Sequence, residues 1–216
     1  MRPPPAPAGK ALAPEFAFIA IIRMVNHFAR FGFSPRPWID SELLKQRFLD
    51  ISASVHPDKV TDKTAAEQEF KQINEGYNVL RGSRSRLLHL LDLRGHPRQE
   101  HVQNVPAEVM EFFPAVAAAT QSADTLIKQK SSAASPMLKV QLMDAGLEQI
   151  DQIQALQSNI RAVIARIEDR LSTISVNWPE NPEPPLLKEL GTAASALGFL
   201  DRWSSQLQER IGALTF

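Results

Sequence analysis

SELLKQRFLDISASVHPDKVTDKTAAEQEFKQINEGYNVLR, residues 41–81, decides the fold. Its first part places Leu44, Phe48, Ile51 and Val55 on one face at helical spacing, which predicts an amphipathic helix over residues 41–55. Asp40 is the expected N-cap, because its carboxylate can accept from first-turn amides. Pro57 ends the helix, since the residue before a proline is pushed out of the α region. Residues 56–62 (HPDKVTD) form a loop. A second helix over 64–81 then repeats Phe70, Ile73, Tyr77 and Leu80 at steps of three and four. Two helices of matched length around a short loop make a helical hairpin with His56, Pro57 and Asp58 at its tip.

The same signals extend outward. NHFARF (residues 26–31) predicts a short helix that stops at Gly32, and residues 33–39, with two prolines, form a loop. Gly82 closes the second hairpin helix, and Ser83 is the expected cap of a Leu-rich helix over 85–93 that ends at Gly95 and Pro97. A polar linker follows. Pro106 suits the first turn of a helix running to about Lys130, which Pro114 should kink or delay. Ser135-Pro136 starts a long helix to about Ser175, striped by Ile150, Ile153, Leu156, Ile160, Val163, Ile167, Leu171 and Ile174. WPENPEPP separates it from a last helix over 186–214 carrying Leu190, Leu197, Leu200, Trp203, Leu207 and Ile211.

Composition narrows the chemistry. The 216 residues carry 24 basic and 24 acidic side chains, so net charge is zero and a general nucleic-acid binder is not indicated. Cysteine is absent, which removes disulfides, thiolate metal sites and a Cys nucleophile. The five histidines show no metal-ligand spacing and no glycine-rich phosphate loop occurs, so neither an enzyme nor a metal or cofactor site is expected. Arg23 interrupts the longest apolar run, residues 16–25, well short of a membrane span. The Pro/Ala-rich head lacks a signal-peptide cleavage region and is read as disordered, and the protein as cytoplasmic.

His56-Pro57-Asp58-Lys59, with QINEGYNVL (residues 72–80) in the following helix, resembles the J-domain, the module that stimulates the ATPase of DnaK-class chaperones. Asp58 at a rigid proline corner can offer a charge-assisted bond to a chaperone arginine. Lys45 and Arg47 can steer toward an acidic chaperone surface. Three further stretches are similar to the HscB family of co-chaperones in iron–sulfur cluster assembly: LRGSRSRLLHLLDLRG (residues 80–95), VMEFFPAV (109–116) and LGFLDRWSSQLQERIGALTF (197–216). In the first, His89 stands where tyrosine is usual.

The resemblance implies an all-α protein. A J-domain over 24–97 is followed by a linker over 98–105 and a C-terminal three-helix bundle over 106–216. Residues 1–23 are expected to be a disordered or dispensable extension, with Met24-Val25-Asn26-His27-Phe28 having the look of the family's start. The implied partners are the chaperone HscA, through His56, Pro57, Asp58, Lys59, Lys45 and Arg47, and the scaffold IscU, with no nucleic acid or membrane. The implied scaffold face is apolar with an acidic neighbour: Val109, Met110, Phe113 and Phe199, with Glu111. Whether Phe113 and Phe199 are surface or core stays open. Departures from the family are Val55 in place of tyrosine, a helix before the loop poor in positive charge, and Pro114 in place of an acid. The lack of cysteine points to the bacterial type. The rival readings are a J-protein of a general DnaK with another client, and a helical scaffold protein with a degenerate J-domain.

Overall fold

The structure, a computed structural model, describes residues 25–55, 63–96 and 105–215. Every regular element among them is an α-helix. In chain order they are α1 (His27–Arg30), α2 (Ser41–Ser54), α3 (Lys63–Arg81), α4 (Ser83–Leu93), α5 (Ala107–Met110), α6 (Phe112–Ser132), α7 (Pro136–Val176) and α8 (Pro184–Thr215). The expected extension over 1–23 lies outside the described residues, as do most of the linker and the loop 56–62.

Local chemistry sets most helix ends where the sequence puts them. Gly32, at φ +67°, turns the chain out of α1 in a conformation that other residues adopt only with strain. The Asp40 carboxylate accepts from the Leu43 N–H at 2.8 Å and caps α2. Two expectations change. Ser83 is the first helical residue of α4 rather than its cap; Gly82 holds the cap position without a side-chain bond. The helix expected from Pro106 breaks at Glu111 into α5 and α6, which places Pro114 in the first turn of α6, where a missing N–H costs nothing.

Two apolar cores meet on α8. Leu190, Ala194 and Leu197 face the first, together with Phe28, Phe31, Leu44, Ile73, Leu80, Leu87, Leu90 and Leu171. Ala196, Leu200, Trp203 and Leu207 face the second, with Val109, Val116, Ala123, Ile153, Ile160 and Val163. Both sets recur at three and four, so one helix buries two stripes. α4 packs along the first stripe, where Leu91 lies against Gly191 and Arg84 against Gly198. Trp38 donates its backbone N–H to Ser175 Oγ at 2.8 Å, and Ser83 Oγ bonds Glu168 at 2.8 Å. The hairpin region and the three-helix bundle of α6, α7 and α8 therefore share an apolar interface, although a polar linker separates them in sequence. The last linker residue, Val105, already packs on the second core.

Candidate functional site

Two surfaces carry the sequence-predicted residues. The first is the α2–α3 hairpin. Phe48 stacks on Tyr77, ring centroids 4.3 Å apart, and Ile51 and Val55 pack on the core, which sets the two helices in register. α1 clamps the far side of α3. Arg30 pairs with Glu69 and donates to Gln72 Oε1 at 2.7 Å. Gly76 lets α1 approach: a Cβ there would lie 3.0 Å from both His27 Nδ1 and a Phe31 ring carbon. The hairpin holds the described ends of the loop, Val55 and Lys63, on adjacent helices; His56, Pro57, Asp58 and Lys59 lie outside the described residues.

Lys45 and Arg47, paired by sequence as steering cations, part company. Lys45 is exposed. Arg47 turns inward: its Nη1 donates to the Phe31 carbonyl at 2.6 Å, and its guanidinium sits 4.1 Å from the Phe33 ring centroid. That geometry ties α2 to the turn at Gly32 and leaves the guanidinium half-buried with its charge intact.

Behind the hairpin, polar side chains are buried. Arg86 donates from Nε to the Pro37 carbonyl at 2.9 Å, from Nη1 to the Leu80 carbonyl at 2.7 Å and from Nη2 to Ser83 Oγ at 3.2 Å. Burial lowers its pKa to about 10, within the range where it stays charged at neutral pH. His89 Nε2 accepts the His27 N–H at 3.2 Å and its ring stacks on Phe28. Accepting through Nε2 requires the neutral ring, and burial, with His27 close by, lowers the His89 pKa to about 4. The pKa of His27 is also lowered, again mainly by burial.

The second surface lies where α5 and α6 meet α8. Met110 is 50 % exposed and Phe113 38 %, while Phe199 is partly buried. Phe113 and Phe199 ring centroids stand 5.7 Å apart, and both rest on Trp203, Phe113 edge-on at 4.7 Å and Phe199 at 5.8 Å. Glu111 is exposed at the break between α5 and α6. Val109 is 1 % exposed and belongs to the second core, so it is corrected from a patch residue to a core residue. A shallow groove of about 570 Å³ leads from Phe113 and Trp203 along α6 past Thr120, Gln121 and Asp124. Sequence reasoning listed Trp203 only as core. Its spacing of four from Phe199 is the signal that the two rings share a face.

Comparison with known proteins agrees with the helical fold. The DnaJ domain model matches residues 31–89. The co-chaperone protein HscB homolog of Shewanella loihica is 38 % identical over 76 residues, an alignment that covers 33 % of this chain and 44 % of that relative. For the HscB homolog of Vibrio atlanticus the identity is 30 % over 172 residues, covering 68 % of this chain and 99 % of the relative. The solved structure of the chaperone HscB from Vibrio cholerae shares the fold at a TM-score of 0.57 and 17 % identity, over 86 % of this chain and 96 % of that one. The match to the whole length of the Vibrio atlanticus relative, on a helical frame carrying a DnaJ domain, shows that the chain belongs to the HscB family of J-domain co-chaperones.

Proposed function

We propose that this chain is a cytoplasmic adaptor that presents an IscU-type iron–sulfur scaffold to an HscA-type chaperone and stimulates the chaperone's ATPase, promoting cluster assembly or transfer. It performs no chemistry of its own. His56, Pro57, Asp58 and Lys59 engage the chaperone, with Lys45 beside them. Met110, Glu111, Phe113 and Phe199 receive the scaffold, with Trp203 holding the rings from below. The observation that carries the reading is the two-faced α8. One stripe of it supports the hairpin region and the other supports the aromatic patch, so both partners are held on one frame. Holding two partners together raises the effective concentration of each near the other without any new contact.

Steady-state ATPase assays with an HscA-type chaperone test the chaperone half. The chain should stimulate turnover and Asp58→Ala should abolish the effect. Titration of an IscU-type scaffold tests the other half: Phe199→Ser should weaken binding by about tenfold, the loss expected of one buried aromatic anchor, with the helical circular dichroism unchanged. Stimulation of a general DnaK without scaffold binding would replace the pair of partners. No stimulation of either chaperone would end the co-chaperone reading for this chain.

A further inference from the structure

We propose that the free end of the three-helix bundle, where α6 turns into α7, docks on the surface of an anionic lipid membrane. Met137, Leu138, Val140, Met143 and Leu147 are all exposed within eleven residues of α7, Met137 at 73 % and Val140 at 61 %. They are exposed because α8 stops short of them. A Cβ on Gly146 would meet the Leu214 carbonyl, so α8 ends level with the third turn of α7. The ten residues of α7 before Gly146, about 15 Å of helix, project beyond that level with the end of α6 beside them. Ala133 and Ala134 lie in the turn between the two helices, so the apex is apolar throughout its first turn and its approach. An exposed apolar cluster of this kind marks an interaction surface.

Direction and charge identify the occupant. Met137, Leu138 and Val140 share the first turn of α7 and, at about 100° per residue, point to three sides of it. A second copy laid against α7 covers one side, whereas a lipid interface into which the apex sinks covers all three. Residues 125–143 carry Lys128, Lys130 and Lys139 and no acidic side chain, in a chain of zero net charge. All three lysines stand within about 6 Å of the helix ends at the apex, forming a basic collar behind the apolar residues. Lys130 and Lys139 line one recess with Ser131, and Lys130 is held there by donating to the Leu214 carbonyl. Such side chains lay their stems along apolar surface and bring the ammonium groups to lipid phosphates. The nearest acids do not oppose this. Asp124 pairs with Arg210, and Asp144 stands about 12 Å along α7 from its start, beyond the roughly 5–10 Å to which an interfacial element sinks. No helix among the described residues is long and apolar enough to cross a membrane, so the contact is with the surface. The family resemblance implies no membrane partner, and the apex departs from that expectation. Docking leaves the other surfaces free: the apex is at the far end of α6 from Phe113 and at the far end of α7 from Ser175, where the hairpin region packs.

Flotation of the full chain with phosphatidylcholine vesicles containing phosphatidylglycerol tests the proposal. Wild type should float with these vesicles, bind pure phosphatidylcholine at least about tenfold more weakly, and come off as KCl is raised from 50 to 500 mM. Lys128→Gln combined with Lys139→Gln should weaken binding about twentyfold, at about fivefold for each cationic side chain at the surface. Met137→Asp combined with Val140→Asp should abolish it. Both double variants should keep the wild-type circular dichroism and melting temperature, because all four side chains are exposed. Failure of wild type to bind the anionic vesicles overturns the inference. Wild-type binding by the Met137→Asp/Val140→Asp chain also overturns it, and would assign the contact to another segment, such as the apolar run over residues 16–25. A wild-type dimer in light scattering that the same double variant dissociates overturns it as well, by placing a second copy on the apex.

Discussion

Around α1, α3 and α4 the interior holds two imidazoles and a guanidinium, in His27, His89 and Arg86. Between α6, α7 and the second half of α8 it is aliphatic and aromatic, with Gln149 and Gln157 as its buried polar members. Gln157 donates to the Ser204 carbonyl and to Gln208 Oε1, both at 3.3 Å. The first region thus depends on a few directed bonds with fixed protonation, while the second depends on volume. The hairpin region should therefore respond to pH and to the loss of single polar partners, and the bundle to cavities. The patch rings between them lie on the bundle side but are only partly buried, so they should be expendable for stability and needed for binding.

Four measurements sharpen or break this contrast. Ile160→Ala, in the bundle core, should cost about 4 kcal/mol by leaving a cavity at a fully buried site. Urea unfolding measures the loss, and a cost under about 1 kcal/mol would mean that the bundle collapses around the gap. Arg86→Met comes next. It keeps much of the volume but leaves the Pro37 and Leu80 carbonyls without their donor, for a loss of about 3 kcal/mol. If the variant proves as stable as wild type, the polar account of the hairpin region fails.

The third measurement is pH dependence. The folded His89 pKa of about 4 lies below the unfolded value of 6.5, so the unfolded chain binds the extra proton between them. His27 is shifted in the same direction. Both groups make stability fall as pH drops from 6.5 toward 4. The loss should be complete once pH is below the folded value. Melting curves across that window should show this fall reduced in His89→Gln, which keeps an acceptor for the His27 N–H without an imidazole. An unreduced slope would place the acid sensitivity elsewhere. Smallest of the four is Phe199→Ser, expected to cost about 1 kcal/mol because the ring is only partly buried. A loss of several kcal/mol would move Phe199 from the patch into the core.

Much of this architecture is written in the sequence, and the reason is local. Asp40 as a cap, Gly32 as a stop and Pro136 at the start of α7 each act within a few residues of their own position, so their effects need no tertiary context. The stripe from Ile150 to Ile174 was legible for the same reason. What escaped depends on partners far along the chain. Leu190 and Leu197 read as one stripe with Leu200, Trp203 and Leu207, yet they serve a different core, and periodicity alone cannot say how many faces of a helix are covered. Arg47 looks like any surface cation until the Phe31 carbonyl is found 2.6 Å away. Val109 and Met110 are adjacent in an apolar run, and only the break at Glu111 decides which of them faces inward.

In the proposed function one chain must carry both working faces. The most direct test is an HscA-type ATPase assay with an IscU-type scaffold, in which Asp58→Ala and Phe199→Ser chains are added separately and then together at subsaturating concentration. With scaffold present, wild type should stimulate beyond the sum of its own effect without scaffold and the scaffold-only rate, neither variant should show that excess, and the mixture should not recover it. In the mixture the intact loop and the intact patch sit on different molecules, so neither chain can bring scaffold and chaperone together. Recovery of wild-type stimulation by the mixture would show that the two faces act independently and would contradict the adaptor account.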